Sequence, residues 1–135
     1  MTARKYRTKD VRRERFTGYK KKADEFRSAM KSSMDARHWN AAALNAVHCA
    51  ISSADALLVY FGGVRSASES HHDVAGLLLQ HVKDDQVRQK MQALSKILDK
   101  KNVAAYEARE LTEPEARELE KVTQRFFDWA MSLLR

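Results

Sequence analysis

A long apolar helix pattern between Asn40 and Gly63 constrains the fold more than any other part of this sequence. Apolar and small residues recur there at steps of three and four, which places them on one broad helix face. A face this wide has to be covered on several sides by other elements. We therefore predict a central helix with Asn40 as its N-cap and with Gly62 and Gly63 as its end. Its inward residues are Ala43, Ala46, Val47, Ala50, Ile51, Ala54, Leu57, Leu58 and Phe61.

Four further amphipathic helices are predicted around this central one. Apolar residues repeat at helical spacing within residues 16–34, 71–82, 84–98 and 112–133. The 135 residues include only four glycines and one proline, so breaks in these helices are few. The sequence therefore predicts an all-α protein, an antiparallel up-and-down bundle of about five helices.

Capping patterns predict where two of these helices begin. Ser70 with Asp73 resembles an acidic variant of the capping box, so the third helix is expected to start at His71. Thr112 with Glu115 forms a complete capping box before the last helix. Both helices therefore have a start predicted from local sequence.

The ends of the fourth helix are less sharply marked. Asp84 is the expected N-cap of that helix. The apolar pattern loosens after residue 98, where we expect Val103 and Tyr106 to pack and their neighbours to face water. This linker then leads into the last helix.

Positive charge is concentrated in the first quarter of the chain. The net charge is +7, and residues 1–38 hold 13 Lys and Arg against 5 Asp and Glu, whereas residues 39–135 hold 12 against 13. We predict a basic, flexible N-terminal segment over residues 1–15 and a single helical-bundle domain over residues 16–135. Aromatic residues among its cations favour contact with a nucleic acid or an acidic partner, and a solvated tail is the alternative.

Cysteine use and hydropathy indicate a soluble, cytoplasmic protein. Cys49 is the only cysteine, which excludes an internal disulfide and fits a small core residue in a reducing compartment. No apolar run is expected to reach the length that spans a bilayer, and the basic N-terminus lacks the apolar part of a secretory signal. A basic amphipathic helix on a membrane is a weak alternative, because the segment lacks a bulky apolar face.

The loop after the central helix holds the one compact set of residues suited to catalysis, namely Arg65, His71 and His72. Histidine titrates near neutral pH, and arginine binds phosphate through two parallel hydrogen bonds. The plain alternative is that the histidines are solvent-exposed and that Arg65 pairs with Glu69 or Asp55. Adjacent histidines on a helix point about 100° apart, so no metal or cofactor is expected.

A polar stripe on the central helix accompanies this loop. His48, Ser52 and Asp55 follow one another at steps of four and three and therefore share one side of the helix. The stripe either lines a groove leading to Arg65 or forms a buried hydrogen-bonded network, and the second interpretation is favoured.

Two runs of residues resemble the centre of HEPN-domain proteins. They are A-V-H-C-A-I-S-S-A-D-A-L-L-V-Y-F-G-G, residues 46–63, and R-S-A-S-E-S-H-H-D-V-A-G-L-L, residues 65–78. The likeness covers about residues 17–135. It implies an up-and-down helical bundle, commonly dimeric, of the kind found in prokaryotic toxin–antitoxin and defence systems and in RNA processing.

The resemblance also implies an activity. Many HEPN proteins are metal-independent endoribonucleases in which two protomers build one site from an arginine and a histidine separated by four to six residues. Arg65 precedes His71 by five intervening residues and His72 by six, so the resemblance implies a catalytic role for these three residues. The implied partners are RNA, a second protomer and an antitoxin. Other members are non-catalytic subunits that bind a minimal nucleotidyltransferase, and this alternative stays open.

Overall fold

The predicted central helix is α2, Trp39–Gly62, in the computed structural model, which describes residues 5–135. Nearly every residue of α2 between Ala42 and Val59 is buried. Helices on several sides cover it, as its broad apolar face requires. The prediction of a central helix is therefore confirmed.

The other elements surround α2. α1 and α6 pack along it, α3 packs against it near its end, and α4 packs against α3 and α6. The described chain is an all-α bundle apart from one two-stranded sheet, and a short fifth helix divides the predicted linker. In chain order the elements are β1 (Thr8–Asp10), a 3-10 turn (Arg13–Arg15), α1 (Phe16–Asp35), α2, β2 (Val64–Ser66), α3 (Asp73–His81), α4 (Val87–Asp99), α5 (Lys101–Ala105) and α6 (Glu113–Leu133).

α2 is a strongly apolar helix. α2 is the one helix among residues 5–135 that is long and apolar enough to cross a membrane, with a mean hydropathy of 1.4 in its best window. The expectation that no run reaches that length is therefore wrong. Because 78% of that window is buried inside the bundle, α2 is accounted for as the core helix. Cys49 lies on it with no exposed surface, as predicted for a core residue.

The C-terminal end of α2 agrees with the sequence prediction, and the N-terminal end does not. Gly63 adopts the left-handed conformation, with φ of 61°, and its N–H donates to the Val59 carbonyl at 3.0 Å, as predicted. Asn40 does not cap the helix, because the helix already begins at Trp39. Instead the Asn40 Oδ1 atom accepts from the Leu111 N–H at 2.9 Å. Asn40 therefore fastens the linker before α6.

Two further starts differ from the predictions. α3 begins at Asp73 rather than at His71, and no side chain caps it. The loop serines bond to one another instead, since the Ser70 N–H donates to the Ser68 Oγ at 3.1 Å. Asp84 does not cap α4, which begins at Val87, and its Oδ2 accepts from the Trp129 Nε1 at 2.9 Å. The Asp84 Oδ2 also accepts from the Gln86 N–H at 3.0 Å, so the Asp84 carboxylate serves a local bond and a distant one at once.

The linker between α4 and α6 is packed at one of its two predicted positions. Val103 packs against the main core. Tyr106, also expected to pack, is 76% exposed because it lies just beyond the end of the short helix α5. The prediction for Tyr106 is wrong.

The capping box before α6 is confirmed and supports a stability prediction. The Glu115 N–H donates to the Thr112 Oγ1 at 3.3 Å, and the Thr112 N–H donates to the Glu115 Oε1 at 3.1 Å. We expect Thr112→Ala to lower the free energy of unfolding by about 1 kcal/mol, as measured by urea denaturation. The control Ser28→Ala, at an exposed position inside α1, should change it by no more than about 0.5 kcal/mol. Equal losses in the two variants would contradict the capping role.

Part of the basic N-terminal segment is an ordered strand. The sequence predicts flexibility over residues 1–15, but β1 pairs antiparallel with β2 and sets Lys9 opposite Arg65. The Val11 N–H donates to the Gly63 carbonyl and the Ala67 N–H donates to the Arg7 carbonyl, each at 2.8 Å. The sequence did not indicate this strand, because its three exposed residues carry no apolar alternation, and the flexibility of residues 5–15 stays a prediction. Residues 1–4 lie outside the described part of the chain.

Candidate active site

Arg65 lies in β2, directly after the glycine stop of α2, and its guanidinium is held from two sides. Its Nη2 donates to the Asp55 Oδ2 at 3.2 Å, and its Cζ lies 4.9 Å from the centre of the Tyr19 ring. Its Nε is buried and has no hydrogen-bond partner among residues 5–135. Because 34% of the side chain is exposed, Arg65 is open to solvent in part and could meet a phosphate.

Asp55 and Arg65 depend on each other electrostatically. The Asp55 side chain is only 6% exposed, and this burial raises the pKa of its carboxyl group. The cations of Arg65 and Lys22 offset part of that shift. Of the two alternatives for Arg65, pairing with Asp55 is observed. Arg65 therefore offsets the negative charge of the buried Asp55 carboxylate, while part of its own side chain is exposed.

His71 lies among positive charges just before α3. Its pKa is lowered chiefly by burial and then by the nearby cations of Lys101, His48, His72 and Arg65. Both effects disfavour the imidazolium form. His71 is therefore mainly neutral at pH 7, with a ring nitrogen free to accept a proton.

His72 is held from α4. Its Nε2 lies 2.8 Å from the Asp99 Oδ1. Since a carboxylate can only accept, Nε2 carries a proton in this bond, which leaves Nδ1 for proton transfer. Both side chains are more than half exposed, so the pair orients the ring more than it stabilises the fold.

The polar stripe of α2 belongs to the same cluster. Asp55 binds Arg65, while His48 stacks on Phe26 with ring centres 5.2 Å apart and lies close enough to influence the pKa of His71. Burial and then Lys101 lower the pKa of His48. The spacing of His48 and Asp55 along the sequence had already placed both residues on one side of α2.

Lys101 and Asp99 are members of the cluster that no sequence pattern indicated. They come from the α4–α5 junction, which reaches the loop because α4 packs on α3 and α5 packs on α2. Three separate stretches of chain thus contribute charged or titratable groups. They are the α2 stripe, the loop from Arg65 to His72, and this junction.

A family model for the HEPN domain matches residues 17–133. The chain belongs to the HEPN domain family. No curated protein sequence matches it significantly. The HEPN match spans α1 to α6 and includes Arg65, His71 and His72, but it leaves β1 and the 3-10 turn outside. The strand that pairs with β2 therefore precedes the matched HEPN domain.

The HEPN cluster contains no arrangement typical of a metal centre. Among residues 5–135, no group of three His, Cys, Asp or Glu side chains is placed to hold a metal ion. The groups available for chemistry are a guanidinium, imidazoles and an ammonium. Such groups can transfer protons and stabilise negative charge.

The lowered pKa of His71 gives a pH prediction for this HEPN protein. His71 should titrate below its ordinary value of 6.5, so its contribution to stability is full above pH 6.5 and is lost as the pH falls through the folded-state pKa. Lys101→Ala should raise the pKa of His71, as followed by NMR titration of the ring proton Hε1. Lys121→Ala removes the same charge from an exposed position on α6 and should leave that titration unchanged. A His71 that titrates at or above pH 6.5 in the unaltered protein would contradict the assignment.

Proposed function

We propose that this HEPN protein binds RNA and cleaves it without a metal ion, with Arg65, His71 and His72 at the reaction centre. The observation that carries the proposal is that Arg65, fixed by Asp55 at 3.2 Å and by the Tyr19 ring and 34% exposed, lies within electrostatic reach of His71, whose pKa is lowered. A phosphodiester needs a cation beside its phosphate and a base beside its ribose 2′-OH. The cluster offers both.

The chemistry follows from the ionisation and contacts of each group. His71, mainly neutral at pH 7, takes the proton of the 2′-OH, and the 2′-oxygen then attacks the adjacent phosphorus. The bond from phosphorus to the 5′-oxygen breaks, and His72, with its Nε2–H bound to Asp99 and a second proton on Nδ1, gives the Nδ1 proton to that oxygen. Arg65 stabilises the charge that develops on the phosphate oxygens. The products are a 2′,3′-cyclic phosphate and a 5′-hydroxyl.

The proposal includes a homodimer. The family resemblance implies that two protomers build one site, so a second copy would bring another Arg65 and another pair of histidines to the same phosphate. Light scattering of the purified protein measures the oligomeric state. An Arg65 variant mixed with a His71 variant should recover activity only if the two chains share a site.

The direct test is RNA cleavage in the presence of EDTA. We expect single-stranded RNA to be cut to products with 2′,3′-cyclic phosphate ends, identified by mass spectrometry. RNA methylated at every 2′-oxygen should remain intact, because it lacks the nucleophile. Absence of cleavage at high protein concentration over a broad set of RNA sequences would contradict the proposal.

One observation favours a second candidate function. Arg65 already forms an ion pair with Asp55. An arginine whose function is to hold the loop to α2 would need no further contact. The second candidate is a non-catalytic subunit that binds a partner such as a minimal nucleotidyltransferase or an antitoxin. It predicts no RNA cleavage by the pure protein and a stable complex with that partner in size-exclusion chromatography.

A further inference from the structure

A cationic pocket lies beside the candidate active site and is not part of it. It has a volume of about 620 Å³ and opens between the chain before α1 and the first turns of α1. Three of its residues are basic and none is acidic. It is lined by Val11, Arg12, Arg15, Gly18, Tyr19 and Lys22.

The cations of this pocket are poorly neutralised. Within the part of the chain that the structure describes, no ion pair or side-chain hydrogen bond engages Arg12 or Arg15, while Lys22 lies over the Tyr19 ring at 5.8 Å and acts on buried Asp55 without a direct ion pair. Arg13, between them in sequence, behaves differently and donates from Nε to the Tyr60 carbonyl at 3.0 Å. Like charges that share one pocket repel one another, and a bound anion relieves that repulsion.

Tyr19 connects this pocket to Arg65. Its ring lines the pocket and also lies 4.9 Å from the Arg65 guanidinium. The positive surface therefore continues from Arg12 and Arg15 to the guanidinium assigned to the phosphate under cleavage. In proteins that bind a single nucleic-acid strand, spaced cations contact the phosphates and aromatic rings stack on the bases. This surface has both kinds of group.

We propose that this pocket binds the phosphate backbone of a single-stranded RNA next to the nucleotide that reaches Arg65. The proposal rests on the RNA-directed function proposed above and names the surface that holds the substrate. Arg12 and Arg15 precede residue 17, where the HEPN match begins, so the matched domain alone does not supply this surface. The segment before α1 thus adds substrate-binding charges to a HEPN bundle.

Gly18 keeps one wall of the pocket open. A β-carbon built at this position meets no atom within 4 Å, so packing does not require a glycine here. A larger side chain would extend into the pocket without displacing the core. Gly18→Glu therefore blocks the pocket with a negative charge, and Gly18→Ala serves as its control for changes in α1.

The experiment measures RNA affinity apart from cleavage. A fluorescein-labelled oligouridylate carrying 2′-O-methyl groups is titrated by fluorescence anisotropy at several salt concentrations. We expect Arg12→Ala/Arg15→Ala and Gly18→Glu each to weaken binding at least tenfold, with Gly18→Ala unchanged. The double variant should also reduce the slope of log Kd against log salt by about 1.4, which is roughly 0.7 for each phosphate that the protein no longer neutralises.

A matched pair of cations lies on another part of the bundle. Lys90 and Arg125 line a separate cavity of about 240 Å³ between α4 and α6. Lys90→Ala/Arg125→Ala changes the net charge by the same amount and should leave the affinity within twofold of the unaltered protein. Equal losses in the two double variants would overturn the proposal, because binding would then follow net charge alone. Circular dichroism confirms that every variant is folded.

The remaining outcomes separate the pocket from the catalytic proposal. RNA that binds through Arg12 and Arg15 but is not cleaved supports the pocket and contradicts the cleavage. Cleavage with an unchanged KM in Arg12→Ala/Arg15→Ala overturns the pocket and leaves the cleavage standing. Binding of polyglutamate, but not of RNA, through the same two arginines overturns the pocket as an RNA site and identifies an acidic protein as its ligand.

Discussion

Replacement of Arg65 by methionine is expected to slow RNA cleavage strongly and to destabilise the fold as well. The rate should fall by about 10²–10³-fold, because the cation that stabilises charge on the phosphate is gone. Asp55, buried and paired with Arg65 at 3.2 Å, loses its partner, so the free energy of unfolding should fall by about 2 kcal/mol. Single-turnover RNA cleavage and urea denaturation measure the two effects.

A double variant separates these two losses. Asp55→Asn combined with Arg65→Met removes the unpaired negative charge and should recover most of the stability while leaving the protein inactive. Asp55→Asn alone keeps an acceptor for the Arg65 guanidinium and should retain measurable activity. A double variant that regains both stability and cleavage would show that Arg65 serves the fold and not the reaction.

Replacement of His71 by alanine should reduce cleavage by about 10²–10⁴-fold, because the neutral imidazole that takes the proton is removed. The fold should be little affected, since His71 is only partly buried at the edge of the bundle. His38→Ala, at an exposed histidine between α1 and α2, is the control and should leave the rate unchanged. The rate is measured at saturating RNA, so that weaker binding does not imitate the loss.

The alternative outcomes for His71 are informative about its neighbours. If His71→Ala remains active while His48→Ala is inactive, the base lies on α2, where His48 stacks on Phe26. If only His72→Ala loses activity, the Asp99–His72 pair performs the proton transfer by itself. Either result would contradict the role assigned to His71 and would leave the cluster as the site.

The helical bundle could be predicted because its signals are local. The wide apolar face of α2, the left-handed Gly63 and the capping box of Thr112 with Glu115 depend on residues within a few turns of one another. Such features form the same way in almost any surrounding fold. For this reason the central helix and the beginning of α6 were correctly derived from the sequence.

The candidate site was predicted only in part because it is assembled over long distances. The spacing from Arg65 to His71 is visible in the sequence, but the approach of Asp99 and Lys101 depends on how α4 packs. Asn40 was assigned as a cap from its type and position, yet it bonds to the N–H of Leu111. A polar side chain can form several alternative hydrogen bonds, and the tertiary structure determines which partners lie within reach.

β1 also determines which chains can approach Arg65 by backbone pairing. A strand as short as β2 offers a row of N–H and C=O groups that any extended segment could use, including one from a partner protein. The protein's own residues Thr8–Asp10 already occupy the edge that carries Arg65. Strand addition by a partner at this edge would first have to displace them.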